Sequence, residues 1–357
     1  MAEVKPFRAV RYAERAGPLE GLVAPPYDVI SPEQREELRA RSPYNVVHLT
    51  LPDDEAEAGR LWSDWRAEGV LADEEPAWWW LAQDYVGPDG IARTREGLVA
   101  ALRVEPYESR IVLPHERTHR GPKEGRLRLL RETRAQLEPL FFLYEDEPPL
   151  RRPHREPDLR IEDAALWRLP PDGAIAEAFA DRQLLIADGH HRYETALAYH
   201  EEAGTPESAY VLAVLVSLED PGLMIFPTHR LFEHVAGNGG APYEDVDAAL
   251  GELERQPAGA ARGVLYRRQA IELLEGRPGQ LDVELTEGLD AEGVRYTASI
   301  DEAISSVTSG EAEGALLVRP TRVEDVYAWA KEGRVMPQKT TYFYPKLVSG
   351  LLFLPLA

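Results

Sequence analysis

The chain has no cysteine among its 357 residues. Disulfides, cysteine nucleophiles and thiolate metal sites are therefore excluded. It also lacks any run of about 18 apolar residues, the minimum for a helix that spans a bilayer. The longest apolar stretch, 210–218, has the length of a strand. The first residues, MAEVKPFRAV, lack the apolar region of a secretion signal, so a cytoplasmic protein is expected. Positive charge is scarce: 40 Lys and Arg stand against 62 Asp and Glu, a net charge of −22. Such a field repels nucleic acid and anionic membranes, and neither is expected as a partner. There is no Walker A pattern and no dinucleotide glycine fingerprint.

What remains is an ordinary globular composition, 44% hydrophobic, long enough for two or three domains. The pattern predicts an α/β (α+β) protein in three segments, 1–105, 106–236 and 241–357, with the glycines at 237–240 as a boundary. In the first segment, Ser31 followed by Pro32 predicts a helix start, running to about Arg41. Residues 45–51 read as a strand, 55–68 as a helix, and 78–83 with 93–104 as a strand pair. Three consecutive tryptophans, 78–80, fit a strand buried on both faces. Residues 147–165, rich in Pro, Arg and Glu, read as an exposed excursion.

Two stretches carry chemistry. The first is 184–200, LLIADGHHRYETALAYH. Its apolar start reads as a buried strand, Asp188 and Gly189 as a turn, and the remainder as a helix. A helix N-terminus offers unpaired N–H groups and a partial positive charge. His190, His191 and Arg192 placed there point to a phosphate site, with Asp188 either capping the helix or holding Mg²⁺. The second is 111–136. From Arg117 to Arg134 seven basic residues stand against two acidic ones, a reversal of the chain's overall sign. His115, Glu116 and His119 also match H-E-x-x-H, but that zinc pattern requires a helix, and Pro114 and Gly121-Pro122 argue against one. Outside these stretches, Thr228, His229 and Arg230 bring a hydroxyl, an imidazole and a guanidinium together. In the tail, Lys339, Thr340, Thr341 and Lys346 interleave with aromatic residues and could return to the anion site.

The motifs APPYDV (24–29), LPHE (113–116), IADGHHRYETA (186–196), PTHRL (227–231) and KTTYFYPKL (339–347) resemble a largely uncharacterised bacterial family. That family is similar to free serine kinases of the ParB/sulfiredoxin-like fold. The resemblance implies a ParB/sulfiredoxin-like catalytic core with added N- and C-terminal α/β segments. It implies that Glu116 is the base on a hydroxyl group and that Asp188, Gly189, His190, His191 and Arg192 hold nucleotide phosphates. His191 is a second catalytic candidate. Arg120, Lys123, Thr228, His229, Arg230 and Lys339 are further candidates for phosphate contacts.

The expected activity is a kinase reaction with ATP or ADP as donor and a small hydroxyl metabolite as acceptor, such as free L-serine giving O-phosphoserine. A nucleotide- or phosphate-binding regulatory module without turnover is the alternative, and a metal-dependent hydrolase the third. The absence of cysteine removes sulfiredoxin chemistry. The acidic charge and the lack of a helix-turn-helix speak against DNA partitioning.

Overall fold

The computed structural model describes residues 1–87, 89–116, 121–236, 239–255 and 260–356, without side chains at 121–123. It divides into two compact units: unit 1 is Met1–Leu223 with Pro345–Ala357, and unit 2 is Met224–Tyr344. The tail of the chain thus returns to unit 1 after unit 2 is complete. The elements are mixed α and β throughout, as the composition and patterning lead one to expect.

The first long helices of unit 1 are α1 (Pro32–Arg41) and α2 (Glu55–Ala67). At the start of α1, Ser31 and Gln34 form a reciprocal capping box and Pro32 takes the first helical position. Strands β1 (Trp78–Val86) and β2 (Ala92–Arg103) form the expected hairpin. Then come β3 (Val112–Leu113), helix α3 (Gly121–Thr133), β4 (Leu140–Tyr144), β5 (Leu159–Ile161) and β6 (Ala164–Leu169). Strand β7 (Leu184–Asp188), helix α4 (His190–Ala203) and strand β8 (Tyr210–Ser217) complete the unit.

These strands make one mixed sheet in the order β3-β7-β4-β8-β2-β1-β6-β5, with Val4–Lys5 added on β2. One face carries Trp78, Trp80, Leu98, Phe142, Ile186 and Leu215, packed against Tyr193 and Ala196 of α4. All three tryptophans are buried, as the sequence predicts. The Tyr193 hydroxyl fixes α4 by accepting from the Glu105 N–H (2.8 Å) and donating to the Glu105 carbonyl (2.9 Å).

Two expectations are overturned. Residues 45–51 are not a strand: Val47–Thr50 is a short helix. The buried Asn45 accounts for this, because its side chain donates to the Gly21 and Val23 carbonyls while its oxygen accepts from the Val47 N–H. Those bonds start a helical turn where apolar spacing alone suggests extension. The excursion at 147–165 is not wholly outside the sheet either. Residues 159–161 and 164 onward are β5 and β6, and β6 pairs with the tryptophan strand β1.

Unit 2 holds β9 (Met224–Phe226), β10 (His229–Ala236), β11 (Ala241–Tyr243), helix α5 (Val246–Arg255), β12 (Ala260–Arg267) and β13 (Ala270–Pro278). After these come β14 (Asp290–Thr297), helix α6 (Ile300–Ser309), β15 (Gly314–Val318), helix α7 (Val323–Lys331) and β16 (Tyr342–Tyr344). Its main sheet is antiparallel, in the order β11-β13-β12-β15-β10-β14, and β9 pairs with β16. No helix in the described residues is long and apolar enough to cross a membrane.

Candidate functional site

The strand-turn-helix at 184–200 forms as its sequence predicts. Leu184–Ala187 are buried, Gly189 has φ +99, and α4 starts at His190. Only glycine meets that backbone at little cost. A Cβ on Gly189 would also lie 3.2 Å from both Arg192 Nη2 and Leu140 Cγ. Gly189, not Asp188, is the N-cap, and no side chain caps this helix.

Asp188 is turned elsewhere by a slip in register. Ile186 pairs with Phe142, but Asp188 pairs with Phe141, so one extra residue sits in β7 between the two pairs. Paired residues share a face of the sheet. The bulge therefore moves Asp188 off the face of Ile186 and onto the face of Phe141.

On that side two cations meet it. Lys346 Nζ lies 2.5 Å from Asp188 Oδ1, and Arg192 Nη2 lies 2.7 Å from Oδ2. Side-chain exposure is 17% for Asp188, 17% for Lys346 and 11% for Arg192. Burial works against ionisation of Asp188, but Lys346 and Arg192 outweigh it and hold the carboxyl below its usual range. Arg192 also donates to the Pro139 carbonyl (2.6 Å).

Such a carboxylate does not suit Mg²⁺. Each oxygen already accepts from a cation, and among the described residues no three His, Asp or Glu side chains converge as a metal seat.

His115 and His190 stack edge to face with ring centroids 4.6 Å apart. His115 donates from Nδ1 to the Ile186 carbonyl (2.7 Å), and its backbone N–H donates to His190 Nε2 (3.3 Å). In His190 the neutral ring therefore carries its proton on Nδ1, and in His115 the Nε2 lone pair is retained. Burial pushes the His115 imidazole down to about 4; it pushes His190 well below its usual value, with His115 adding to the effect. Both rings are neutral at pH 7, so they offer directed hydrogen-bonding groups where the sequence suggests cations. Glu116 follows His115 directly and is half-buried, as is His191.

His115 and Glu116 precede α3 and are not helical, so H-E-x-x-H lacks its required scaffold; His119 lies outside the described residues. Arg120 also lies outside them, as does the Lys123 side chain.

The other candidates belong to unit 2. There Thr228 Oγ1 donates to the Lys339 carbonyl (2.7 Å), and Arg230 donates to the Thr228 and Lys339 carbonyls. His229 Nδ1 accepts from the Val318 N–H (3.2 Å). These three side chains are buried, and Thr228 and Arg230 hold the turn at Lys339, whose own φ is +53. Of the two tail lysines, it is Lys346 that meets Asp188.

Sequence reasoning missed Gln83 and Arg95, which face the same side of the sheet as Asp188. It also missed Glu138, buried beside Arg126 (3.9 Å) and accepting from the Tyr27 N–H (2.9 Å). Nothing in the sequence sets Arg95 apart from Arg93 and Glu96 beside it in the polar half of its strand.

No curated protein matches the chain. Among solved structures, a free serine kinase in complex with AMP is 15% identical, with 65% of this chain and 83% of that one covered and a TM-score of 0.38. A conserved hypothetical protein from Pyrococcus furiosus is 16% identical, with 69% and 92% covered and a TM-score of 0.37. SbnI with a C-terminal truncation, from Staphylococcus aureus, is 12% identical, with 72% and 87% covered and a TM-score of 0.40. Residues 4–291 match the pattern of a family described only as a protein of unknown function, and on that match the chain belongs to DUF1015.

Proposed function

We propose that the protein is a nucleotide-dependent phosphotransferase whose acceptor is a small hydroxyl metabolite, with free L-serine the first candidate and ATP or ADP the donor. The observation that carries this reading is the buried Arg192–Asp188–Lys346 triad beside the N-terminus of α4. Phosphoryl transfer asks a protein mainly for positioning and for charge opposite the transferring oxygens. A phosphate competing with Asp188 for Arg192 and Lys346 would meet two cations that are already in place. His190 would donate from Nδ1, and backbone N–H groups of the first turn of α4 would face the anion.

Glu116 is assigned the acceptor proton. As the hydroxyl oxygen bonds to phosphorus, its proton passes to the Glu116 carboxylate, and the bond from phosphorus to the donor's bridging oxygen breaks with its electron pair on the nucleotide. Because Asp188 is committed to two cations, no protein-held Mg²⁺ enters this reading. The assignment of unit 1 to the ParB/sulfiredoxin-like group is part of the same proposal, supported by the motifs at 113–116 and 186–196.

The test is ATP- or ADP-dependent phosphorylation of serine and other hydroxy metabolites by the full chain. Loss of nucleotide binding in Arg192→Ala is expected. If Glu116→Gln binds nucleotide and the wild type shows no turnover with any acceptor, the site is a binding module and the transferase reading is wrong.

A further inference from the structure

Arg95 is 1% exposed and lies inside strand β2. Among the described residues no carboxylate pairs with it, and Nη1 has no hydrogen-bond partner. Burying a guanidinium in this way is costly, and burial draws its pKa down to about 10. Two contacts account for its place. Nη2 donates to Gln83 Oε1 at 2.6 Å, and the guanidinium lies 4.4 Å from the centre of the Phe141 ring.

Both contacts lead to Asp188. Phe141 is its cross-strand partner. Gln83 donates from Nε2 to the main-chain carbonyl of Lys346 (3.1 Å), and Lys346 Nζ reaches Asp188 Oδ1. Asp188, Phe141, Arg95, Gln83 and Lys346 therefore form a closed ring of contacts across β7, β4, β2, β1 and the C-terminal segment.

The amide at position 83 is informative. An arginine can only donate, so Gln83 Oε1 must face it and Nε2 must face the Lys346 carbonyl. If the only need were to neutralise Arg95, glutamate would serve better. A glutamate, however, has no donor for the Lys346 carbonyl. The amide meets both demands, and it pins the backbone from which the flexible lysine stem extends.

We propose that Gln83 and Arg95 are positioning residues that set Lys346 on Asp188 and thereby tune the affinity of unit 1 for a phosphate group. This rests on the reading of that triad as the anion site.

The experiment compares the full-length wild type with Gln83→Glu. Three quantities are read: thermal midpoint, calorimetric affinity for inorganic phosphate and ADP, and the rate and pH profile of Lys346 acetylation by an amine-reactive reagent, followed by mass spectrometry. In Gln83→Glu the midpoint is expected to hold or rise, because Arg95 gains an ion-pair partner. Lys346 acetylation is expected to speed up several-fold, and phosphate affinity to fall about tenfold, the effect of one hydrogen bond to a charged group. Faster labelling at an unchanged midpoint is something a merely structural role would not produce.

Wild-type labelling and affinity in Gln83→Glu would overturn the proposal. If that variant does not fold, Arg95→Met carries the same expectation, since the amide then loses its anchor. Should no form of the protein bind phosphate or ADP, the anion-site reading fails, while the labelling rates still decide whether Gln83 positions Lys346.

Discussion

Lys346 and Asp188 are 158 residues apart in sequence, and their charged atoms are 2.5 Å apart in the fold. The first arrives on the C-terminal segment, after the whole of unit 2. The second stands on a strand bulge. With Arg192 they form a site in which every charge depends on the others being there.

Asp188→Asn is expected to destabilise unit 1 by about 3 kcal/mol, because it removes the carboxylate that Arg192 and Lys346 share. Urea unfolding at pH 7 measures it. A loss below about 1 kcal/mol would mean that water already screens the pair.

Stability should fall between about pH 6.5 and pH 4. His115 and His229 titrate near 4 in the folded chain and His190 well below its ordinary value, so all three lie below the unfolded value. The unfolded chain therefore binds more protons in this window, and stability rises with pH across it. For His115 a shift from 6.5 to about 4 corresponds to about 3 kcal/mol. The Asp188 contribution has the opposite origin, a lowered carboxyl, and is lost only at more acid pH. Unfolding free energies at pH 4, 5, 6 and 7 give the slope, and His115→Asn should flatten it.

Gly189→Ala places a side chain at φ +99 and against Arg192 Nη2 and Leu140. A loss of about 1–2 kcal/mol is expected from the backbone alone. Arg192 must also shift, so phosphate affinity should drop with stability. An alanine variant with wild-type affinity would separate Arg192 from the anion site.

Glu116→Gln should lower turnover by about 10²–10⁴-fold, the range for removing a general base, with nucleotide affinity kept. Initial rates and a binding titration on one preparation separate the two effects.

Much of the local structure was legible before the fold. The capping box of α1 lies within four residues, and local bonds alone decide it. The strand, the glycine turn and α4 follow from an apolar run, a required positive φ and helical spacing. The strand at 45–51 was misread because a short apolar run has no period of its own. Asn45, reaching back to Gly21 and Val23, settled it instead. Arg95 and Gln83 went unnoticed for a related reason: a charge and an amide inside strands look like solvent-facing residues until both faces of the sheet are covered.

The sequence by itself determined the composition classes, the absence of thiol chemistry, the segments able to become helix or strand, and the clustering of Asp188, Gly189, His190 and Arg192 within one turn. These are matters of residue type and of contacts a few residues long. The tertiary structure decided which lysine serves Asp188, that His115 and His190 pack edge to face and stay neutral, and that Asp188 shares the sheet face of Phe141 and not that of Ile186. Those outcomes depend on strand register, on a one-residue bulge and on the return of the chain end. Each is fixed by packing between segments tens to hundreds of residues apart, and no local pattern encodes it.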